Sequence, residues 1–206
     1  MTKRSSVYRS IQLFVLLSCA LGCGGASETK KDVQAVYDEQ TGRLRQLTYD
    51  SNKNGKPDSI SYMDGTTVLR VEIDQNEDGK VDRWEYYGAD RTLEKVGLSQ
   101  ANDGIVDQWA YRAADGTLAK MEISTRRDGK VQRTEVYEKG AVVGVEEDTN
   151  HDGAVDKWET YSGGTLTGLA LDTTGAGRPT RRLVYASDGS VKIASPAAAK
   201  ASSKIP

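Results

Sequence analysis

Cysteine is nearly missing from this chain. Of 206 residues only Cys19 and Cys23 carry a thiol, and both lie near the start. No structural disulfide therefore staples the body of the sequence. Histidine is scarcer still, with His151 alone. No nucleophile stands beside a partner base, no phosphate loop is present and no zinc-ligand spacing occurs, so an enzyme is not expected. The formal charge is only −2, which leaves no basic footprint for nucleic acid. A single Phe and a mean hydropathy of −0.60 allow only a thin core.

Apolar residues concentrate in one short run, within "MTKRSSVYRSIQLFVLLSCALGCGGASE". Lys3, Arg4 and Arg9 make a basic flank, Ile11 to Leu21 is mostly apolar, and small residues follow. That is the pattern of a secretory signal, too short for a spanning helix. The segment resembles a bacterial lipoprotein signal, in which the apolar stretch ends in a small residue and then a Cys that receives lipid. Two frames compete, "LLSC" ending at Cys19 and "ALGC" ending at Cys23. Cys23 leaves the longer apolar stretch and precedes the linker-like "GGASETKKD". The resemblance implies a signal peptide over 1–22, a linker over 23–32 and a membrane anchor through the lipidated Cys. Neither frame has Asp after the Cys, so it further implies the cell envelope, at the outer membrane of a Gram-negative bacterium. The tail "ASPAAAKASSKIP" (194–206) lacks periodicity and reads as disordered.

Glycine, at 21 residues, is plentiful and regularly placed. Gly55, Gly79, Gly104, Gly129, Gly153 and Gly177 are spaced 24 or 25 residues apart. Each is position 6 of a nine-residue loop, and the six loops begin at Asp50, Asp74, Ser99, Ser124, Asp148 and Asp172. A loopless half-unit, "VQAVYDEQTGRLRQLTYD" (33–50), precedes them. Every loop leads into a short run such as "VDRWEYY", then a turn such as "DGT" or "GGT", then a second run such as "TLAKMEI". The runs alternate with period two, are rich in Val, Trp and Tyr, and are too short for ordinary helices. The expected fold is all-β: tandem β-hairpin repeats of 24–25 residues over 33–193, forming an extended antiparallel meander or a β-solenoid.

The loops carry oxygen ligands at calcium spacing. The second offers Asp74, Asn76, Asp78, the carbonyl of Lys80, and Asp82; the fifth offers Asp148, Asn150, Asp152, the carbonyl of Ala154, and Asp156. The first is a weaker version, with Asp50, Asn52, Asn54, the carbonyl of Lys56, and Asp58. Three carboxylates and an amide within nine residues repel one another without a cation, and Ca2+ takes six to eight such oxygens. An EF-hand would add Glu85 or Glu159 at position 12. If a strand begins near position 8, however, three more residues lie about 10 Å farther along, out of reach of the same ion. Both glutamates are therefore expected to be strand-surface charges.

The remaining loops are degenerate. The third keeps Asp103 and Asp107, with Ser99 and Ala101 at other ligand positions. The fourth puts Arg126 and Arg127 among its ligand positions and Gln132 at position 9, so that a cation already sits there. The sixth keeps Asp172 alone of the carboxylates. The plain alternative for all of them is a polar Asn/Asp/Gly turn without metal. The loops resemble those of thrombospondin type 3 repeats and dockerins, which bind calcium. The whole chain resembles bacterial lipoproteins built from EF-hand-like "DxNxDGxxDxW" repeats, and its repeat length is similar to that of MORN-type hairpin proteins.

Trp84, Trp109 and Trp158 recur at position 11, with Ile60 and Leu183 expected in the same slot. Tyr62, Tyr86, Tyr111, Tyr137, Tyr161 and Tyr185 follow at position 13 or 14. A stacked ladder in the core is the expected use of these rings. Exposed platforms for a polysaccharide or protein ligand are the alternative. Basic residues at position 10 (Arg83, Arg133, Lys157, Arg181) and acids at position 12 (Glu85, Glu135, Glu159) are expected to form cross-strand ion pairs. His151 is expected to be a solvated loop side chain. The sequence thus points to a calcium-binding, lipid-anchored envelope repeat protein acting as a scaffold or binding surface.

Overall fold

The structure is a computed structural model and describes residues 32–194. The expected signal segment with Cys19 and Cys23, and all but the first residue of the expected tail, lie outside the described residues. Fourteen strands follow one another: β1 (Val33–Tyr37), β2 (Leu44–Tyr49), β3 (Ser59–Asp64), β4 (Thr67–Ile73), β5 (Arg83–Tyr87), β6 (Leu93–Leu98) and β7 (Gln108–Arg112), then β8 (Leu118–Ile123), β9 (Arg133–Glu138), β10 (Ala141–Glu147), β11 (Lys157–Ser162), β12 (Thr165–Leu171), β13 (Arg181–Tyr185) and β14 (Val191–Ala194). No helix occurs among the described residues.

Each strand pairs antiparallel with its neighbours in sequence, in the order β1 to β14, and β1 does not meet β14. Of the two expected forms this is the open meander. Element contacts of any extent join only sequence neighbours, so the sheet is a single layer. Its core is correspondingly thin. Among the described residues Val96, Val145 and Ala170 are the buried apolar ones, and no large side chain is fully enclosed.

The tight-turn hairpins share one irregularity. From β1–β2 through β11–β12, the second strand carries one unopposed residue: Arg45, Leu69, Glu94, Ala119, Val143 and Thr167 in turn. These are β-bulges, which bend the strand and add right-handed twist. The last hairpin, β13–β14, pairs without a shift.

Register sorts the side chains into two faces. Thr48, Ile60, Glu72, Trp84, Gly97, Trp109, Glu122 and Thr134 form one continuous cross-strand row, which runs on through Glu146, Trp158, Ala170 and Arg182. Arg182, not Leu183, therefore stands in the tryptophan slot. Leu183 pairs with Leu169 one row away, on the opposite face. The tyrosines are divided too. Tyr62, Tyr86 and Tyr111 share the tryptophan face, whereas Tyr137, Tyr161 and Tyr185 sit one residue later and point the other way. A single stacked ladder does not exist.

Candidate metal centre

All six loops share one backbone conformation. Position 6 is Gly with positive φ throughout, from 68° at Gly177 to 95° at Gly153. Position 4 is also left-handed, and there Lys53, Glu77, Asn102, Arg127 and His151 carry side chains in five loops, with Gly175 in the sixth. Left-handed backbone at an ordinary residue is disfavoured by roughly 1–2 kcal/mol, so tertiary structure holds it in place.

That holding structure is a backbone ladder along the loop edge. The position 9 N–H donates to the carbonyl just before position 1, as Asp82 to Ile73 (2.8 Å) and Gln132 to Ile123 (3.0 Å). The position 1 N–H donates to position 9 of the preceding unit, as Asp74 to Asp58 (2.9 Å) and Asp148 to Gln132 (2.8 Å). Positions 1 and 9 are accordingly buried or half-buried, and Asp82, Ser99, Asp107, Ser124, Gln132 and Asp148 are the buried polar residues among those described.

Side chains at these positions close each loop. Position 9 accepts backbone N–H groups from the loop start: Asp82 from Gln75 (2.9 Å), Asp107 from Gln100 (3.1 Å), Thr180 from Thr173 (2.9 Å). Position 1 carboxylates accept the position 6 glycine N–H, as Asp74 does from Gly79 and Asp148 from Gly153, both at 2.8 Å. Positions 3 and 5 accept the N–H two residues on, as Asn76 from Asp78 and Asp78 from Lys80, both at 2.9 Å. Loop closure thus consumes at least one oxygen of each of these ligand residues. It works with Ser, Gln or Thr as well as Asp, which is why the degenerate loops keep the fold.

What distinguishes the second loop is the oxygen left over. Asp74 Oδ1 and Asp82 Oδ1 are buried and have no hydrogen-bond partner. Asp82 as a whole is only 6% exposed. In the fifth loop the corresponding oxygens are occupied. Asp148 Oδ1 accepts from His151 (2.7 Å) and Asp152 (3.2 Å), and Asp156 uses both oxygens on the loop start. Buried carboxylate oxygens without donors are costly unless a cation meets them. The residues of the second loop therefore fit a hard divalent ion. As the loops stand, no group of three or more His, Cys, Asp or Glu among the described residues is drawn close enough to hold a metal.

Neighbouring loops also touch through position 4. Lys53 Nζ lies 3.2 Å from Asp32, which occupies position 9 of the preceding unit by its ladder bond to Asp50. Glu77 accepts the side-chain amides of Asn52 and Asn54 in the first loop. Arg127 pairs with Asp103 and lies 3.6 Å from Asp107 in the third loop. The charge of Arg127 thus serves the third loop, not its own. The Ile105 N–H most of all, with Ser99 and Arg127 adding, holds the Asp103 carboxyl below its ordinary range.

Glu85 and Glu159 belong to strands and not to the loops. Each takes a hydrogen bond from a tyrosine two residues on, Tyr87 (2.7 Å) and Tyr161 (3.0 Å), and Glu135 takes one from Tyr137 (2.6 Å). Their basic partners are mostly on the same strand: Arg83–Glu85 at 2.7 Å, Arg133–Glu135 and Lys157–Glu159 both at 2.8 Å. Cross-strand pairing is confined here to Glu147, which meets both Arg133 and Lys157 at 3.2 Å. Desolvation opposes the charge on each of these glutamates, but the hydrogen bonds outweigh it and hold the carboxyls low. Burial, then the bond to glutamate, pushes Tyr87 and Tyr137 up to about 12.

On the other face, cations cover the aromatic rings. Arg70 lies 4.2 Å from the centre of Tyr62 and Lys120 4.2 Å from that of Tyr111. Lys95 sits over both Tyr86 (4.7 Å) and Trp109 (4.5 Å). These rings are half-buried and already have cationic partners.

No family model matches the chain, and no curated protein matches it. Among solved structures, an S. aureus TarM variant in complex with fondaparinux, alpha-GlcNAc-glycerol and UDP aligns with TM-score 0.37 and 14% identity, over 49% of this chain and 20% of that one. The Streptococcus pneumoniae accessory secretory proteins 1, 2 and 3 align with TM-score 0.27 and 13% identity, over 69% and 19%. A GtfA/B complex bound to UDP and GlcNAc aligns with TM-score 0.28 and 11% identity, over 62% and 22%. The chain spans about a fifth of the length of these proteins, and likenesses at such scores carry no functional argument.

Proposed function

We propose that this protein is a non-enzymatic calcium-binding scaffold, a β-repeat sheet anchored in the envelope through lipid on Cys23 or Cys19. The observation that carries the calcium reading is the pair of buried, unpartnered oxygens Asp74 Oδ1 and Asp82 Oδ1. Asp74, Asn76, Asp78, the Lys80 carbonyl and Asp82 are the ligands, with water completing the shell. The ion draws the exposed residues Asn76 and Asp78 toward the buried pair and fixes the loop edge between β4 and β5. The fifth loop has the same residue types, but must first release the donors on Asp148 and Asp156. The first loop supplies fewer carboxylates. The anchor and the envelope location rest on the N-terminal sequence alone.

Calcium that binds only the folded loop stabilises the fold by mass action, about 1.4 kcal/mol at ten times Kd. For a chain of this size that raises the melting temperature by roughly 3–6 °C. The test is thermal unfolding with calcium and with chelator, on the wild type and on Asp82→Asn. An amide keeps the bonds to Gln75 and Asn76, as Gln132 does to Arg126 (3.4 Å) in the fourth loop, but replaces the ligand oxygen by NH2. A calcium-dependent melt in the wild type and none in Asp82→Asn supports the assignment. Identical melts with and without calcium in the wild type reject it.

A surface that binds polysaccharide or protein along the tryptophan face is the second reading. It is less well supported, because Arg70, Lys95 and Lys120 already occupy ring faces that a ligand would stack upon.

A further inference from the structure

The loops are not independent sites. Position 4 is left-handed in every loop, and in three of them its side chain reaches the preceding unit. Lys53 meets Asp32, Glu77 meets Asn52 and Asn54, and Arg127 meets Asp103 and Asp107. The contacts fall on position 9 for Lys53, on 3 and 5 for Glu77, and on 5 and 9 for Arg127, all of them metal-ligand positions. Asp107 is 5% exposed, so the guanidinium of Arg127 offsets a buried carboxylate that would otherwise lack a cation. A charged group from one unit thus meets ligand positions of the unit before it.

We propose that the position 4 side chain decides how the preceding loop is neutralised: Arg127 is the resident cation of the third loop, and a divalent ion is taken only where no basic side chain arrives. The second loop meets that condition. Its successor contributes Asn102, which is neutral, and the unpartnered oxygens of Asp74 and Asp82 remain. In the first loop Glu77 brings a carboxylate instead of a cation, which adds an oxygen donor to the two carboxylates already present. The part of this inference concerning the second loop rests on the calcium reading above; the part concerning Arg127 does not.

Two arms test it on the folded repeat protein. Asn102→Arg places a guanidinium toward the second loop without altering any of that loop's residues, and Asn102→Gln is its neutral control. Calcium should cease to raise the melting temperature of Asn102→Arg and should raise that of Asn102→Gln as in the wild type. In the second arm, without calcium, Arg127→Gln should melt about 2–4 °C lower than Arg126→Gln. Both substitutions remove one charge from the same loop, so only the contact with Asp103 and Asp107 separates them. A full calcium response in Asn102→Arg, or equal melts for the two arginine variants, overturns the inference. If the wild type itself shows no calcium response, the calcium reading fails, and the Arg127 arm alone decides this one.

Discussion

At the scale of single residues, the molecule tolerates strain where the backbone ladder demands it. Arg91 shows the same thing at a hairpin turn. Its φ is 68°, at a turn position that Gly42, Gly116 and Gly189 fill elsewhere with φ of 68°, 81° and 82°. Arg91→Gly relieves a left-handed penalty of roughly 1–2 kcal/mol and gives back part of it as unfolded-state entropy. A net gain of about 0.5–1 kcal/mol is expected, measured by urea unfolding. Gly97 is the opposite case. A Cβ there would lie 2.8 Å from Trp109 Cζ3, so Gly97→Ala forces the indole off the sheet and should destabilise by about 1–3 kcal/mol in the same assay. Neither residue announces itself in the sequence, since both effects depend on what lies across the turn or the neighbouring strand.

At the scale of elements, the hairpins are held by their ladders, by a bulge in all but β13–β14, and in several by short charged clusters such as Arg83–Glu85–Tyr87. These clusters make stability pH-dependent at both ends. The glutamates are held below their ordinary 4.5, so their contribution is complete above that pH and is lost as pH falls through the lowered values. Tyr87, Tyr111 and Tyr137 are raised from 10.0 to about 12. Their neutral form is favoured in the fold, so stability is complete below pH 10 and declines between about pH 10 and pH 12. Melting temperature against pH should therefore be level from about 5 to 10 and fall on either side. A spectrophotometric titration should find these tyrosines ionising later than free tyrosine. The hairpins and the strand character of Glu85 and Glu159 could be read from period-two runs and glycine spacing. The faces could not be read fully. Positions 13 and 14 are neighbours in sequence but opposite in space, so loop spacing alone does not separate the face of Tyr86 from that of Tyr137, whereas counting from Asp172 does make Arg182, not Leu183, position 11.

At the scale of the whole molecule, a one-layer sheet has little apolar burial to draw on. Val96, Val145 and Ala170 are its only buried apolar residues among those described. Each unit leans on its neighbours through the position 1 and position 9 ladder, as in other quasi-one-dimensional repeats. The loop edge is therefore where added interactions matter, and it is where the buried carboxylates lie. Which loops carry acids was plain in the sequence. That loop closure uses both oxygens of Asp148 and Asp156 in the fifth loop, and that only the second loop leaves two buried oxygens unpartnered, follows from hydrogen-bond geometry that spacing does not encode. The central claim is that those two oxygens await calcium. Calorimetric titration of CaCl2 into the wild type and Asp82→Asn tests it most directly. A saturable binding heat in the wild type that disappears in Asp82→Asn is the predicted result; no heat in the wild type, or the same heat in both proteins, would contradict it.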